Sequence, residues 1–120
     1  MYRTLCIMVM LAIICGSGCH HEPQTSQLLE DLNSAKSADR LKAVRWLQNR
    51  PGDAADVVPA LVRSLNDSET DIRLSAAIGL GYFGSDADSA LPELEKRLAD
   101  KDVRVRRAAE VAISRIQGEE

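Results

Sequence analysis

The residues best suited to chemistry fall into a few groups. His20, His21 and Glu22 follow directly on Cys19, and all four are metal-ligating types. A zinc site needs four ligands held convergent by a folded frame. These lie in a polar stretch with Pro23, Gln24, Thr25 and Ser26, and the chain has no other histidine. The reading they favour is a solvated tether with no metal. Gly79-Leu80-Gly81-Tyr82-Phe83-Gly84 has the glycine spacing of a dinucleotide loop. That loop works between a strand and a helix start, where backbone N–H groups face a pyrophosphate. Here the glycines close a helical stripe with no strand before it, so they read as packing and termination positions. Arg40, Arg73 and Arg106 recur at one spacing, as an anion-binding ladder would. Asp67 stands six residues before Arg73, and Asp100 six before Arg106. An arginine column is then best read as structural, its forks filled by carboxylates and backbone carbonyls.

Lys101, Arg104, Arg106, Arg107 and Arg115 form a basic cluster, but Asp100, Asp102, Glu110, Glu119 and Glu120 interleave with it. Mixed signs describe a solvated helix face more than a nucleic-acid footprint. The chain as a whole carries a net charge of −3 over 120 residues, and only Tyr2, Trp46, Tyr82 and Phe83 are aromatic. Neither the charge nor the few stacking platforms fits a nucleic-acid binder. No Ser–His–Asp or Cys–His set is available, because both histidines lie in the tether. The expectation is a binding module with no cofactor, not an enzyme.

The elements that must position these residues come from an internal repeat. Shifted by 33 residues, the sequence aligns on itself without a gap: Leu28, Leu61 and Leu94; Leu32, Leu65 and Leu98; Arg40, Arg73 and Arg106; Ala43, Ala76 and Ala109; Leu47, Leu80 and Ile113. The last two units also share Pro59 with Pro92 and Asp67 with Asp100. Each unit reads as two helices. Val58, Leu61, Val62 and Leu65 give a helical stripe over 57–66, with Pro59 in its first turn. Ser68 and Asp71 suggest a capping box for the next helix, which runs to about Phe83 and buries Ile72, Ala76, Leu80 and Phe83. Gly84 then supplies a left-handed stop. The alanine column lets backbones approach, and the leucines fill the space between. No helix pair can bury its own apolar face, so the stack holds only as a set.

With that face inward, the opposite ridge carries Leu74, Ile78 and Tyr82. The same positions hold Arg107, Val111 and Arg115 in the third unit, and Leu41, Arg45 and Asn49 in the first. A strip of Leu, Tyr and Arg has the composition of an interface centre. Arg45, Leu74, Tyr82, Arg107 and Arg115 are therefore the expected partner-binding residues, and Asp67, Arg73, Asp100 and Arg106 the expected structural ladder.

The amino terminus adds an address. Arg3 precedes an unbroken apolar run from Leu5 to Cys15, which has the length of a signal-peptide core and is too short to span a bilayer. Cys6 and Cys15 leave with such a leader, so Cys19 remains alone and no disulfide can form within the mature chain. Gly16-Ser17-Gly18-Cys19 resembles a bacterial lipobox, departing from it at Gly16, where leucine is usual. That resemblance implies cleavage before Cys19 and a lipid on its sulfur. Cleavage by an ordinary leader peptidase, and a retained leader, stay open as alternatives. His20 after the cysteine, where aspartate would signal inner-membrane retention, points to the outer membrane or the periplasmic side.

Ile72-Arg73-Leu74-Ser75-Ala76-Ala77 with Leu80 and Gly84, and Val105-Arg106-Arg107-Ala108-Ala109 with Ile113, resemble HEAT repeats of the phycobilisome-lyase-like type. The resemblance implies an all-α fold, a short α-α solenoid of three HEAT-like helical hairpins. It also implies a scaffold for a protein partner. HEAT enzymes of the deoxyhypusine-hydroxylase type carry His-Glu pairs on their helices; these helices have no histidine. The organisation expected is a signal peptide at 1–18, a tether at 19–26, repeats at 27–117 and a tail at 118–120. Two rivals remain. One is a structural solenoid that self-associates through end residues such as Val111 and Ile116. The other is a bilin-lyase-like enzyme, suggested by the repeat name alone.

Overall fold

The computed structural model describes residues 22–119. The leader, Cys19, His20, His21 and Glu120 lie outside the described residues. The helices in order are α1 (Thr25–Asp31), α2 (Ser37–Leu47), α3 (Ala54–Ser64), α4 (Thr70–Phe83), α5 (Leu91–Arg97) and α6 (Val103–Gln117). Short 3-10 segments, Pro51–Asp53 and Gly84–Ala90, join one hairpin to the next. Among the described residues there is no strand, and no helix is long and apolar enough to cross a membrane.

The repeat columns become the core. Leu28, Leu61 and Leu94 are buried, as are Ala43, Ala76 and Ala109, and Leu47 with Leu80. The longer second helices stack in the order α2, α4, α6, while α1, α3 and α5 pack beside them as a second row. The inward stripe of α4 is Ile72, Ala76, Leu80 and Phe83, all buried. The leucine column shows where the stack stops: Leu65 is 0% exposed and Leu98 45%. Position matters here more than residue type, because among the described residues nothing packs on the outer face of the third hairpin. That face carries Glu110, exposed, where Val44 and Ala77 are buried in the first two hairpins. A polar outer layer suits a terminal repeat.

Three local expectations need correction. Pro59 is the sixth residue of α3, not a first-turn residue, because Ala54, Ala55 and Asp56 extend the helix backward. Its ring and Ala55 both face solvent, so the carbonyl left without a helical donor can be hydrated. Pro92 does sit in the first turn of α5, because a kink at Ala87 keeps the preceding residues in 3-10 form. Second, Ser68 and Asp71 make no capping box. The residue flanking the start of α4 is Glu69, and its side chain caps nothing. The Glu69 N–H instead donates to Asp67 Oδ1 at 2.9 Å. At α6 a true cap exists, with Asp102 Oδ1 accepting from the Arg104 N–H at 2.8 Å. Third, Ile116 is not at an exposed end: it is buried in the core, and Val111 lies on a lateral groove.

Gly84 and Gly118 end α4 and α6. Gly84 has φ 55 and ψ −134, the mirror image of extended backbone, and Gly118 is left-handed at φ 73 and ψ 20. Both conformations are ones that side chains with a Cβ rarely adopt. Gly79 and Gly81 serve differently. A Cβ on Gly79 would lie 3.0 Å from Cβ of Gln48, the residue that ends α2, and one on Gly81 would lie 3.2 Å from Ala112 Cα on α6. The glycines of the GxGxxG string thus let α4 approach both neighbours.

Candidate functional site

Two constructions involve the expected site residues. The first is a seam of arginine–aspartate pairs running between hairpins. Arg73 gives its Nε and Nη2 to the two carboxylate oxygens of Asp100, at 3.0 and 3.1 Å. Its Nη1 donates to the carbonyls of Asp67 and Ser68, at 2.9 and 3.1 Å, and Nη2 also reaches Thr70 Oγ1 at 3.3 Å. A guanidinium has five N–H donors, so this fork is filled. Asp100 is equally occupied, accepting also from Arg97 Nη1 at 3.3 Å and from the Asp102 N–H at 3.0 Å. The two side chains are only 5% and 2% exposed. Arg40 repeats the arrangement one hairpin earlier, with Nε and Nη2 on Asp67 at 2.9 and 3.1 Å and Nη1 on the Ser34 and Ala35 carbonyls. That pair is more open, at 16% and 13%. Among the described residues Arg106, on the third hairpin, retains only the carbonyl contact, from Nη1 to Asp100 O at 2.8 Å.

The register of these bonds has a simple logic. The residue six positions back contributes its carbonyl, and the carboxylate comes from the next hairpin, 27 residues ahead. Each pair therefore links one repeat to the next. Burial alone would raise the Asp67 and Asp100 carboxyls. For Asp100 the Arg73 hydrogen bonds, the Asp102 amide and the charges of Arg73 and Arg97 outweigh it. For Asp67 the same is done by Arg40, the Glu69 amide and Arg73. Both carboxyls are held below the ordinary carboxylate value. Groups lowered in this way stabilise the fold fully above the unfolded-state value near about pH 4, and lose that contribution as pH falls through the folded-state value. Melting temperature should thus drop on acidification below about pH 4, with a shallower acid slope in Asp100→Asn. Equal slopes in the two chains, read by circular dichroism, would remove these pairs from the account.

The second construction is a groove between α4 and α6. Leu74, Ile78 and Tyr82 form one wall, Arg104, Arg107, Val111 and Arg115 the other, over a floor of small residues including Gly81 and Ala112. Its volume is about 360 Å³. The close approach at Gly81 makes the floor, and the ridge side chains stand up on either side. Tyr82 is 60% exposed at the mouth, and the Arg115 guanidinium lies 5.6 Å from its ring centroid. A cation over an aromatic face holds both side chains in place. Arg104 is tied to Asp102 at 3.2 Å and to Asp71 at 3.6 Å. Among the described residues, Arg107 and Arg115 form no ion pair with a carboxylate.

Of the expected partner-binding residues, the structure brings Leu74, Tyr82, Arg107 and Arg115 to this one groove. Arg45 is exposed on α2 and does not line it. Residue periodicity did not single out Arg104, which joins the wall because α6 begins one turn before Arg107. It also missed a clamp on the tether. Arg50 donates to the Pro23 carbonyl at 2.6 Å and to Thr25 Oγ1 at 3.2 Å, and Thr25 Oγ1 donates in turn to Asp53. Residues 23–25, expected to be a loose linker, are fastened to the first hairpin, and α1 begins at Thr25. The available signal was Arg50 itself, which stands in the column of Phe83 and Ile116. Among the described residues, no group of three or more His, Cys, Asp or Glu is placed to hold a metal.

Tandem helical hairpins stacked in register, stitched by inter-repeat ion pairs and carrying an exposed lateral ridge, define an α-solenoid. Residues 25–114 match the family model described as HEAT repeats, and the chain belongs to that family. No curated protein matches the chain. The family suggests a helical scaffold of the kind often used for protein interaction.

Proposed function

We propose that this HEAT-repeat chain is a scaffold of the bacterial envelope that captures a segment of a protein partner in the α4–α6 groove. The observation that carries the reading is the groove itself. It combines an exposed tyrosine, an apolar strip and two arginines, Arg107 and Arg115, that pair with no carboxylate among the described residues, a composition found at interface centres. The address is argued from the leader: an apolar core of signal length, small residues before Cys19, and a polar stretch after it. Lipid on Cys19 would hold the repeats against the outer membrane or on the periplasmic side; cleavage without lipid would release them as a soluble envelope protein.

The self-associating alternative finds less support. A second copy added to the outer face would bury Glu110, and it would present Ser34, not an aspartate, in the column that faces Arg106. A bilin-lyase-like role rests on the repeat name alone.

Two expected outcomes test the proposal. A tagged full-length chain carrying Tyr82→Ala and Arg107→Ala should lose the protein that co-purifies with wild type, with an unchanged far-ultraviolet circular dichroism spectrum. Retained capture would remove the groove from the function; lost helicity would mean that these side chains serve the fold. Metabolic labelling with a fatty acid should mark the wild-type chain and not Cys19→Ser. Absence of label from both chains, or equal label on both, would exclude a lipid on Cys19 as the anchor.

A further inference from the structure

We infer that the groove's occupant is an acidic amphipathic helix of a protein partner, with two carboxylates seven or eight positions apart flanking a pair of apolar residues. The inference rests on the binding role proposed for the groove and specifies the chemistry of what fills it. The chain carries a net charge of −3, yet the groove lining holds three arginines and no carboxylate. One of the three, Arg104, is already neutralised by Asp102 and Asp71. Among the described residues Arg107 and Arg115 have no carboxylate partner, and any partner that covered them with apolar surface would strand two guanidinium charges. Carboxylates remove that penalty, because each fork can donate two parallel hydrogen bonds to one.

The spacing sets the register. Arg107 and Arg115 are eight residues apart on α6, about 12 Å along the axis. On a partner helix, residues seven or eight apart share a face and span about 10–12 Å. Between the arginines the groove is apolar, with Ile78 and Val111 above a floor of alanine and glycine. Residues at the third and fourth positions after the first carboxylate would lie on that strip. The small floor admits a third helix close to α4 and α6, as helix packing into a two-helix groove requires. The Tyr82 hydroxyl, at the mouth, is left to bond the partner's backbone or a polar side chain.

The test is fluorescence anisotropy with the full chain and labelled helical peptides of about 14 residues, long enough to span the groove. One peptide carries glutamates at the stated spacing around a leucine pair; a second has lysine in place of both glutamates. The expected result is at least tenfold tighter binding of the glutamate peptide, weakened by salt. The preference should reverse in a chain carrying Arg107→Glu and Arg115→Glu, whose exposed positions leave the melting temperature close to wild type. Equal or tighter binding of the lysine peptide overturns the inference. So does an outcome in which neither peptide binds but phosphatidylglycerol vesicles do, in an Arg107- and Arg115-dependent way, since the groove would then face a lipid surface. If no peptide binds while a crosslinker at Tyr82 still captures a protein in cells, the acidic helix is wrong and the scaffold reading survives. If Tyr82 captures nothing either, both fall together.

Discussion

Replacing Asp100 by alanine is expected to lower the unfolding free energy by about 3–5 kcal/mol, the range for breaking one side of a buried ion pair. The reason is the guanidinium left behind. Arg73 is 5% exposed, and two of its five N–H donors point at Asp100. Without the carboxylate two of its donors lose their acceptor in a largely buried position, and the Asp67 carboxylate, which also feels its charge, is already bound to Arg40. A domain of this size has roughly 5–15 kcal/mol in total, so the loss is a large share. The third hairpin should separate first, because the pair joins the second repeat to it. Asp67→Ala, at the more open Arg40 pair, should cost less. Removing both charges with apolar residues, Arg73→Met with Asp100→Leu, should cost less than Asp100→Ala alone, because the more deeply buried Arg73 charge leaves with its partner and Arg97, which also loses Asp100, is 22% exposed. Urea denaturation of the four chains measures this. If the double substitution is as damaging as the single one, the pair's role is packing and not charge.

The second large effect is expected at Gly81. A Cβ there meets Ala112 Cα at 3.2 Å and Ala112 Cβ at 3.4 Å. The obstructing atom is the backbone of α6, so relief requires the whole helix to move. Valine adds two further methyl groups in the same direction, and overpacking of this kind costs typically about 1–3 kcal/mol. For a domain near 100 residues that is a fall in Tm of roughly 4–8 °C per kcal/mol. The same substitution spreads α4 from α6, so it should also weaken partner capture, which a purely destabilising change elsewhere would not do below the melting range. Gly52 provides the contrast: nothing lies within 4 Å of its would-be Cβ, and Gly52→Ala should leave Tm unchanged or slightly raised. A Gly81→Val chain that melts with wild type would mean that the helices separate more easily than the packing implies.

Much of the fold is legible in the 33-residue columns, and the reason is physical. In a stacked array every repeat meets the same neighbours, so Ala43, Ala76 and Ala109 answer one steric demand three times. Ile72, Ala76, Leu80 and Phe83 follow from helical periodicity for the same reason. The ridge residues Leu74 and Tyr82 are legible as the complement of that stripe. Partner choice within the arginine column is not. Asp67 and Asp100 both stand near an arginine in sequence, but six residues back brings only a carbonyl within reach. The carboxylate that arrives comes from the next hairpin, through the rise of the stack. Ile116 illustrates a different failure. It lies on the last helix, but its column is that of Phe83, so it turns into the core. The Arg50 clamp on Pro23 and Thr25 departs from the repeat, and a periodic pattern carries no information about a departure.

The measurement that bears most directly on the central claim is photo-crosslinking in cells, with the reactive side chain at Tyr82 and a control at Glu30, which is exposed on α1 away from the groove. A binding groove between α4 and α6 predicts one discrete protein adduct at Tyr82 and none at Glu30. No adduct at either position, or the same adducts at both, would contradict it.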